Sequence, residues 1–182
     1  MTRRAVSRAI YRRPWRIDVD VRDGVSPPAS VASLGRAIAS ALGAGRAPRP
    51  ASIGLILTDD AEIADLNVTH MGHTGPTDVL SFPLLPPSAF APGATAHDVP
   101  RPPRSRVHLG DIVVSVERAI EQADAGRGGQ TGDVRWSPAD ELRLLVTHGA
   151  LHICGWDHAT PSDEREMRAL ERRLLGPVGT DR

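Results

Sequence analysis

The chain has 182 residues, and its 40% hydrophobic and 24% charged content is that of a globular protein, so one domain is expected. Its formal net charge is zero, which excludes a global basic field and means that any phosphate contact must come from a local patch. No apolar run approaches the roughly 20 residues of a membrane span, and the single cysteine excludes an intramolecular disulfide. We therefore predict a cytoplasmic protein without a membrane partner.

The N-terminal segment, MTRRAVSRAIYRRPWR, is rich in arginine and lacks the continuous apolar core of a secretory signal. Its arginines offer a track for a phosphate backbone, but a solvated tail is the simpler interpretation. We predict a basic tail over residues 1–14, a single domain over residues 15–176 and a C-terminal tail over residues 177–182.

Alternating or continuous apolar residues predict four strands, at residues 15–23, 52–59, 77–85 and 108–115. Helical spacing with capping residues predicts five helices, within residues 26–45, 59–72, 115–126, 138–155 and 162–176. Residues 86–106 contain so many prolines that we predict an exposed loop or insertion, and residues 127–136 are interpreted as a flexible link.

The segment VTHGALHICGWDHAT brings three of the seven histidines into eleven residues. His148 and His152 lie four apart on a predicted helix and therefore share one face, although such a pair alone is usually a surface accident. Gly155 can end that helix and turn the chain, so that His158 returns toward the pair. Three neutral imidazoles with an open fourth position are typical of a catalytic zinc site. We predict one zinc ion held by these three histidines.

The same spacing matches the zincin signature H-E-x-x-H-x-x-G-x-x-H, except that Gly149 stands where a protease has its general-base glutamate. Chemistry other than standard peptide hydrolysis is therefore expected. Cys154 lies two residues past His152 and points away from the histidine face, so we interpret it as a core residue rather than a fourth ligand. Asp157 has three open roles: it accepts a hydrogen bond from a ligand ring, caps the turn, or acts as a catalytic base.

HGALHICGWDH, with TDVLSFP and LGDIVVS upstream, closely resembles the YbeY family of metal-dependent endoribonucleases, the ribosomal RNA maturation factors. The resemblance covers roughly residues 15–175, with the three blocks in the family's order. It implies an α+β, zincin-like single domain, with a mixed sheet of about four strands packed against helices and zinc on the three histidines. It also implies a single-strand-specific endoribonuclease that acts in 3′-end maturation of small-subunit ribosomal RNA and in ribosome quality control.

Within this resemblance, Met71 stands where family members commonly carry an arginine that is thought to help bind or cleave RNA. His70 and His73 lie beside it, and we predict that they compensate partly by binding substrate, with tolerated drift at a helix end and loop as the alternative. Ser81 and Asp111, on the matched strand motifs, are predicted to shape the substrate groove, with strand-end hydrogen bonding as the alternative. The expected partners are single-stranded ribosomal RNA and the small subunit or its assembly factors, not DNA.

In the expected mechanism, a water or ribose hydroxyl activated beside the zinc ion attacks a phosphodiester, while Asp157 or a nearby histidine moves the proton. Two alternatives stay open. Another zinc hydrolase, such as a peptidase or deaminase, is disfavoured by Gly149 and by the lack of paired cysteines. A non-catalytic assembly factor, in which the metal only stabilises the fold, is favoured by Met71.

Overall fold

The computed structural model describes residues 6–94, 105–125 and 137–176. The predicted link at residues 127–136, the C-terminal tail at 177–182 and part of the Pro-rich segment lie outside the described residues. Within them, α-helices pack on a mixed β-sheet, which confirms the predicted α+β class.

The sheet has five strands in the order β1-β2-β3-β5-β4, one more than predicted. Its central strands β2, β3 and β5 are parallel, whereas β1 and β4 run antiparallel at the two edges. The strand bounds are β1 Val6–Arg12, β2 Trp15–Val21, β3 Ala51–Thr58, β4 Val79–Pro83 and β5 Val107–Ser115.

The additional strand is β1, so the prediction of a basic tail over residues 1–14 is wrong for residues 6–12. β1 pairs along its whole length with β2 through the tight turn at Arg13 and Pro14. Its side chains are mostly exposed, which hides the alternation that normally identifies a strand. Only Ile10 reaches the interior, where it packs near Gly35 of the first helix.

Each of the five α-helices in the described residues begins at a side chain that accepts a hydrogen bond from a backbone N–H in the first turn. These caps are Ser30, Asp59, Ser115, Ser137 and Thr160. The helix bounds are α1 Val31–Ala44, α2 Asp60–Met71, α3 Val116–Asp124, α4 Pro138–Ile153 and α5 Pro161–Leu175.

The main core lies between one face of the sheet and the helices α1 and α4, with α5 packed beside them. α2 covers the opposite face beside β4 and β5, where Ile63 packs with Leu80 and Val113. Toward the β1 edge of that opposite face, Tyr11 is 59% exposed. The side chains of Arg16 and His108 are 43% and 40% exposed there. This part of the sheet therefore presents polar side chains to solvent.

The Pro-rich segment is not wholly an exposed loop. Residues Pro87–Phe90 form a 3₁₀-helix, and the Phe90 side chain is buried in the main core. Burial of the Phe90 ring offsets the conformational entropy that is lost when this stretch becomes ordered. Proline prevents the helix from becoming longer. No helix in the part of the chain that the structure describes is long and apolar enough to span a membrane.

Candidate metal centre

α4 carries the first two histidines of the centre. The helix starts with a capping box between Ser137 and Asp140, with Pro138 at its first position. It ends at Cys154, and Gly155 then adopts a φ of 81°, a left-handed conformation that glycine tolerates best. This turn sends the chain back along the helix, which is what brings His158 to the other two histidines.

The three imidazoles converge as predicted. The ring centroids of His148 and His152 are 4.5 Å apart, and those of His158 lie 5.5 Å and 5.0 Å from them. One nitrogen from each ring lies within 4.8 Å of the other two, so the group could hold a metal ion. The Nε2 atoms of His148 and His152 are only 3.0 Å apart, which fits two donors directed at one position. The donor set, three imidazole nitrogens, suits a borderline-soft divalent cation.

Glu171 orients the first ligand ring, and the sequence interpretation missed it. Its Oε1 lies 2.7 Å from Nδ1 of His148, and the side chain is only 6% exposed. The carboxylate accepts the Nδ1–H, which leaves Nε2 of His148 free to bind a cation. A signal existed in the sequence, because Glu171 lies on the same face of α5 as the buried Met167 and Leu170, where a carboxylate is unusual.

Burial and the neighbouring rings together lower the pKa of His152 to about 4. Desolvation is the largest cause, followed by the charges of His148 and His158. His152 is therefore neutral near pH 7, which is the form that donates its lone pair to a metal.

The packing of α4 on the sheet explains why a glycine stands at position 149. A Cβ built there would lie 2.7 Å from Cγ2 of Ile112 and 3.2 Å from Oγ of Ser81. Ser81 also donates a hydrogen bond of 3.2 Å to the Gly149 carbonyl. Even a methyl group at this point requires the Ile112 side chain to shift, and a glutamate would require a much larger displacement of the helix from the sheet.

A cavity of about 530 Å³ opens beside the three histidines. Residues of β4 and the segment before it form one wall, and α4 forms the other. Polar side chains facing this space include Thr77, Asp78, Ser81 and Gln122. Both the volume and the mix of polar and apolar groups suit a small segment of ligand rather than a folded partner.

Of the predicted substrate residues, only Ser81 lines this cavity. His70 instead lies edge-on to the Phe82 ring at 5.1 Å, and His73 is exposed beyond the end of α2. Met71, the last residue of α2, lines the cavity, and His70 before it points elsewhere because successive helix residues point in different directions. The structure therefore gives no support to compensation by His70 or His73 within this cavity.

Asp111 lies on the other face of the sheet, so its predicted place in the groove is wrong. A bulge inserts one extra residue in β5 near Gly110, and the alternation of side chains shifts after it. Ile112 consequently packs toward α4, whereas Asp111 points away and its Oδ1 lies 3.2 Å from Nε2 of His108.

Two residues beside the ligands have separate roles. The Oδ1 of Asp157 accepts the backbone N–H of His158 at 2.7 Å, which supports turn capping among its three predicted roles. Asp157 lines a different cavity from the histidines. Cys154 is buried in the core, and this burial raises the pKa of its thiol to about 12. An uncharged thiol packed in the core agrees with its prediction as a core residue.

The family model "Endoribonuclease YbeY" matches residues 26–179 of the chain. A protein of that name from Roseiflexus castenholzii is 35% identical over 167 residues, which cover 91% of this chain and 94% of the relative. Its counterpart from Thermobifida fusca is 38% identical over 159 residues, 87% of this chain and 92% of the relative. The Mycobacterium tuberculosis protein is 45% identical over 125 residues, 69% of this chain and 63% of its own length. A solution structure of a Thermotoga maritima protein aligns with a TM-score of 0.49 and 22% identity, covering 87% of this chain and 86% of that one.

Proposed function

The chain belongs to the endoribonuclease YbeY family, and we propose that it cuts single-stranded RNA in the cavity beside His148, His152 and His158. The observation that carries this proposal is the convergence of three imidazoles at the floor of that cavity. One of them is neutral near pH 7, and another is oriented by a buried carboxylate.

The proposed cofactor is one zinc ion. The group found among the described residues consists of three imidazoles without a fourth side-chain ligand, which matches catalytic zinc sites that keep one position open. When bound, such an ion supplies Lewis-acid chemistry, stabilising charge on a phosphoryl oxygen and acidifying water. Glu171 keeps the ring of His148 in the tautomer and orientation that this requires.

Side chains of the chain line the cavity in which the substrate is proposed to bind. Ser81 and Thr77 place hydroxyl groups on the β4 side of the cavity. Their O–H groups donate to the Gly149 carbonyl and to Asp78, so the two oxygens can accept hydrogen bonds from ribose hydroxyl groups. Asp78 is already engaged, since it accepts from the backbone N–H of Val79 at 2.8 Å and from Gln122 at 3.0 Å. It therefore shapes the wall, while the attacking group is a water or a ribose hydroxyl.

An unpaired strand is the proposed substrate because its nucleotides can enter a cavity of this size, whereas a duplex cannot be splayed into it. We propose ribosomal RNA as that strand, at the 3′ end of the small-subunit RNA, with the small subunit or its assembly factors as partners. Ribosome quality control and a cytoplasmic location follow from the same substrate, and neither membrane nor DNA is expected as a partner.

The experiment replaces His148 and His152 together by alanine and follows metal content by mass spectrometry and cleavage of a single-stranded ribosomal RNA fragment, using protein without a histidine tag. We expect both metal and cleavage to be lost, while circular dichroism shows a folded chain. Cleavage at the wild-type rate by the metal-free double variant would refute the mechanism. Products ending in 2′,3′-cyclic phosphates would indicate attack by the ribose, and 5′-phosphates attack by water.

One observation favours a second function, that of a non-catalytic assembly factor stabilised by its metal. Met71 lines the cavity and is 42% exposed, so an apolar side chain occupies part of the wall where RNA phosphates would lie. Binding of ribosomal RNA without cleavage, and without any effect of the histidine substitutions, would select this function. A metallopeptidase is disfavoured, because the close packing at Gly149 leaves no space for a general-base glutamate.

A further inference from the structure

A cluster of arginines lies at one corner of the sheet, away from the three histidines. It comprises Arg12, Arg13, Arg16, Arg49 and Arg106, and we call it the arginine corner. Three separate stretches of chain contribute to it: the β1–β2 turn and the residues just before β3 and β5. The first stretch precedes residue 26, where the match to the family model begins.

A hydrogen bond, a cation–π contact and strand pairing hold the three stretches together. Arg106 donates a hydrogen bond of 2.6 Å to the carbonyl of Pro14 in the β1–β2 turn. The guanidinium of Arg49 lies 5.0 Å from the centre of the Trp15 ring. The pairing of Trp15 with Ala51, and of Ala51 with Val107, sets the starts of the three parallel strands side by side. The arginines are therefore neighbours in space and not only in composition.

The corner is strongly positive in a chain whose formal net charge is zero. Residues 12–16, 49–50 and 105–108 include no acidic residue. Among the described residues, Asp18 forms an ion pair with Arg16 at 2.8 Å, and both side chains are 43% exposed. Arg13, Arg49 and Arg106 are exposed and have no acidic partner in the part of the chain that the structure describes. Such a local patch attracts a polyanion.

An exposed aromatic ring borders the corner. Tyr11, the only tyrosine of the chain, is 59% exposed and pairs directly across the β1–β2 ladder with Arg16. Both side chains thus lie on the open face of the sheet. An exposed ring beside guanidinium groups can stack an unpaired base while the arginines bind its phosphates, and this combination favours single-stranded nucleic acid over an acidic protein.

We propose that the arginine corner and Tyr11 form a second contact for single-stranded RNA, which holds the part of a substrate strand that extends beyond the histidine cavity. The proposal rests on the proposed function for the identity of the polyanion. β2 is separated from β4, beside the cavity, by three strand spacings, or about 14 Å across the sheet. The corner is also about 17 Å from the cavity along the strands, because Val107 lies five residues before Ile112, the partner of Ser81, and Tyr11 lies on the face opposite α4. Only a strand several nucleotides long reaches both places, so the corner selects for longer substrates.

The test compares the full-length triple variant R13Q/R49Q/R106Q with a matched control, R36Q/R165Q/R172Q, which removes the same charge from exposed positions on α1 and α5. Binding of a fluorescent single-stranded 20-mer RNA is measured by anisotropy, in chelator so that no cleavage occurs, across a series of salt concentrations. Each lost phosphate contact lowers the salt slope by about 0.7, so three lower it by about 2 and weaken binding on the order of 100-fold at 0.1 M salt. The control is expected to stay within threefold of the wild type.

A second variant keeps the test independent of the triple substitution. Tyr11→Ala is expected to weaken binding of the 20-mer about tenfold, and Tyr11→Phe to retain it, because stacking needs the ring and not the hydroxyl. The proposal would be overturned if the triple variant and the control lost RNA affinity equally. It would also be overturned if the triple substitution weakened binding of poly-glutamate but left binding of RNA unchanged.

Cleavage assays separate this proposal from the proposed function. With metal restored, the ratio of kcat/KM for a 20-mer to that for a tetramer is expected to fall at least tenfold in R13Q/R49Q/R106Q. If the wild type cleaves both RNAs and this ratio is unchanged, the corner is not a contact although the enzyme is a ribonuclease. If the wild type cleaves neither RNA but binds the 20-mer through the corner, the contact stands and the proposed activity falls.

Discussion

The buried pair of His148 and Glu171 allows a quantitative prediction for the substitution Glu171→Gln. Glutamine keeps an oxygen that can accept the Nδ1–H but removes the negative charge, so the bond changes from charge-assisted to neutral. Bonds to charged groups contribute about 1.5–3 kcal/mol net, and neutral ones about 0.5–1.5 kcal/mol. The midpoints of these ranges differ by about 1.25 kcal/mol, which corresponds to nearly tenfold weaker metal binding, at the lower end of the range seen when such orienting partners are replaced.

The assay is a competition titration of the metal-free protein with zinc and a chelating dye, supported by circular dichroism to show that the fold is retained. Glu166→Gln is the matched control, because Glu166 is exposed on the same helix and lines a different cavity. We expect about a tenfold loss for Glu171→Gln and no change for Glu166→Gln. A folded Glu171→Gln protein with wild-type zinc affinity would show that the carboxylate does not tune the ligand.

Four further predictions concern stability, reactivity and substrate binding. Gly149→Ala should lower the free energy of unfolding by about 1–3 kcal/mol in urea titrations, because its Cβ meets a side chain of the sheet at 2.7 Å. The Cys154 thiol, whose pKa burial raises to about 12, should resist a disulfide reagent at pH 8 in the native protein and react after unfolding. The hydrogen bond from Arg22 lowers the pKa of Glu62, so this carboxylate stabilises the fold at neutral pH, and the contribution is lost as pH falls through its folded pKa; Glu62→Gln should therefore flatten the acid limb of the stability profile. Met71→Arg should strengthen binding of single-stranded RNA and steepen its salt slope by about 0.7, as measured by anisotropy.

The histidine centre could be predicted because its geometry is local. A four-residue spacing on a helix and a glycine turn place His148, His152 and His158 by rules that act over eleven residues. Glu171 belongs to another helix, and its approach depends on how α5 packs on α4. The spacing of the histidines gives no information on how α5 packs on α4. The carboxylate of Glu171 on the buried face of α5 was nevertheless a sign in the sequence of a polar role in the interior.

All four predicted strands are present, and the two errors concern the face of the sheet on which Asp111 lies and the missed edge strand β1. The bulge near Gly110 turns Asp111 away from the cavity, and nothing in LGDIVVS apart from its glycine signals it. β1 contacts the core through Ile10 alone, so the burial that produces a readable alternation is missing from its other residues. Edge strands of this kind are set by pairing with a neighbour rather than by their own hydrophobicity.

The chemistry also depends on where Glu171 lies compared with the general-base glutamate of a zincin protease. A zincin protease keeps its glutamate on the metal helix, facing the substrate, and here Gly149 packs against β4 and β5 at that position. The Glu171 carboxylate also lines the cavity, but it accepts the Nδ1–H of His148 and so orients a ligand ring. Of the other carboxylates that line the cavity, Asp78 accepts hydrogen bonds from Val79 and Gln122, and Glu141 is only 3% exposed. We therefore expect water or the ribose hydroxyl of the RNA to take part in proton transfer during cleavage. RNA has a 2′-hydroxyl beside each phosphate, and neither DNA nor a peptide has one, so this arrangement favours RNA as the substrate class.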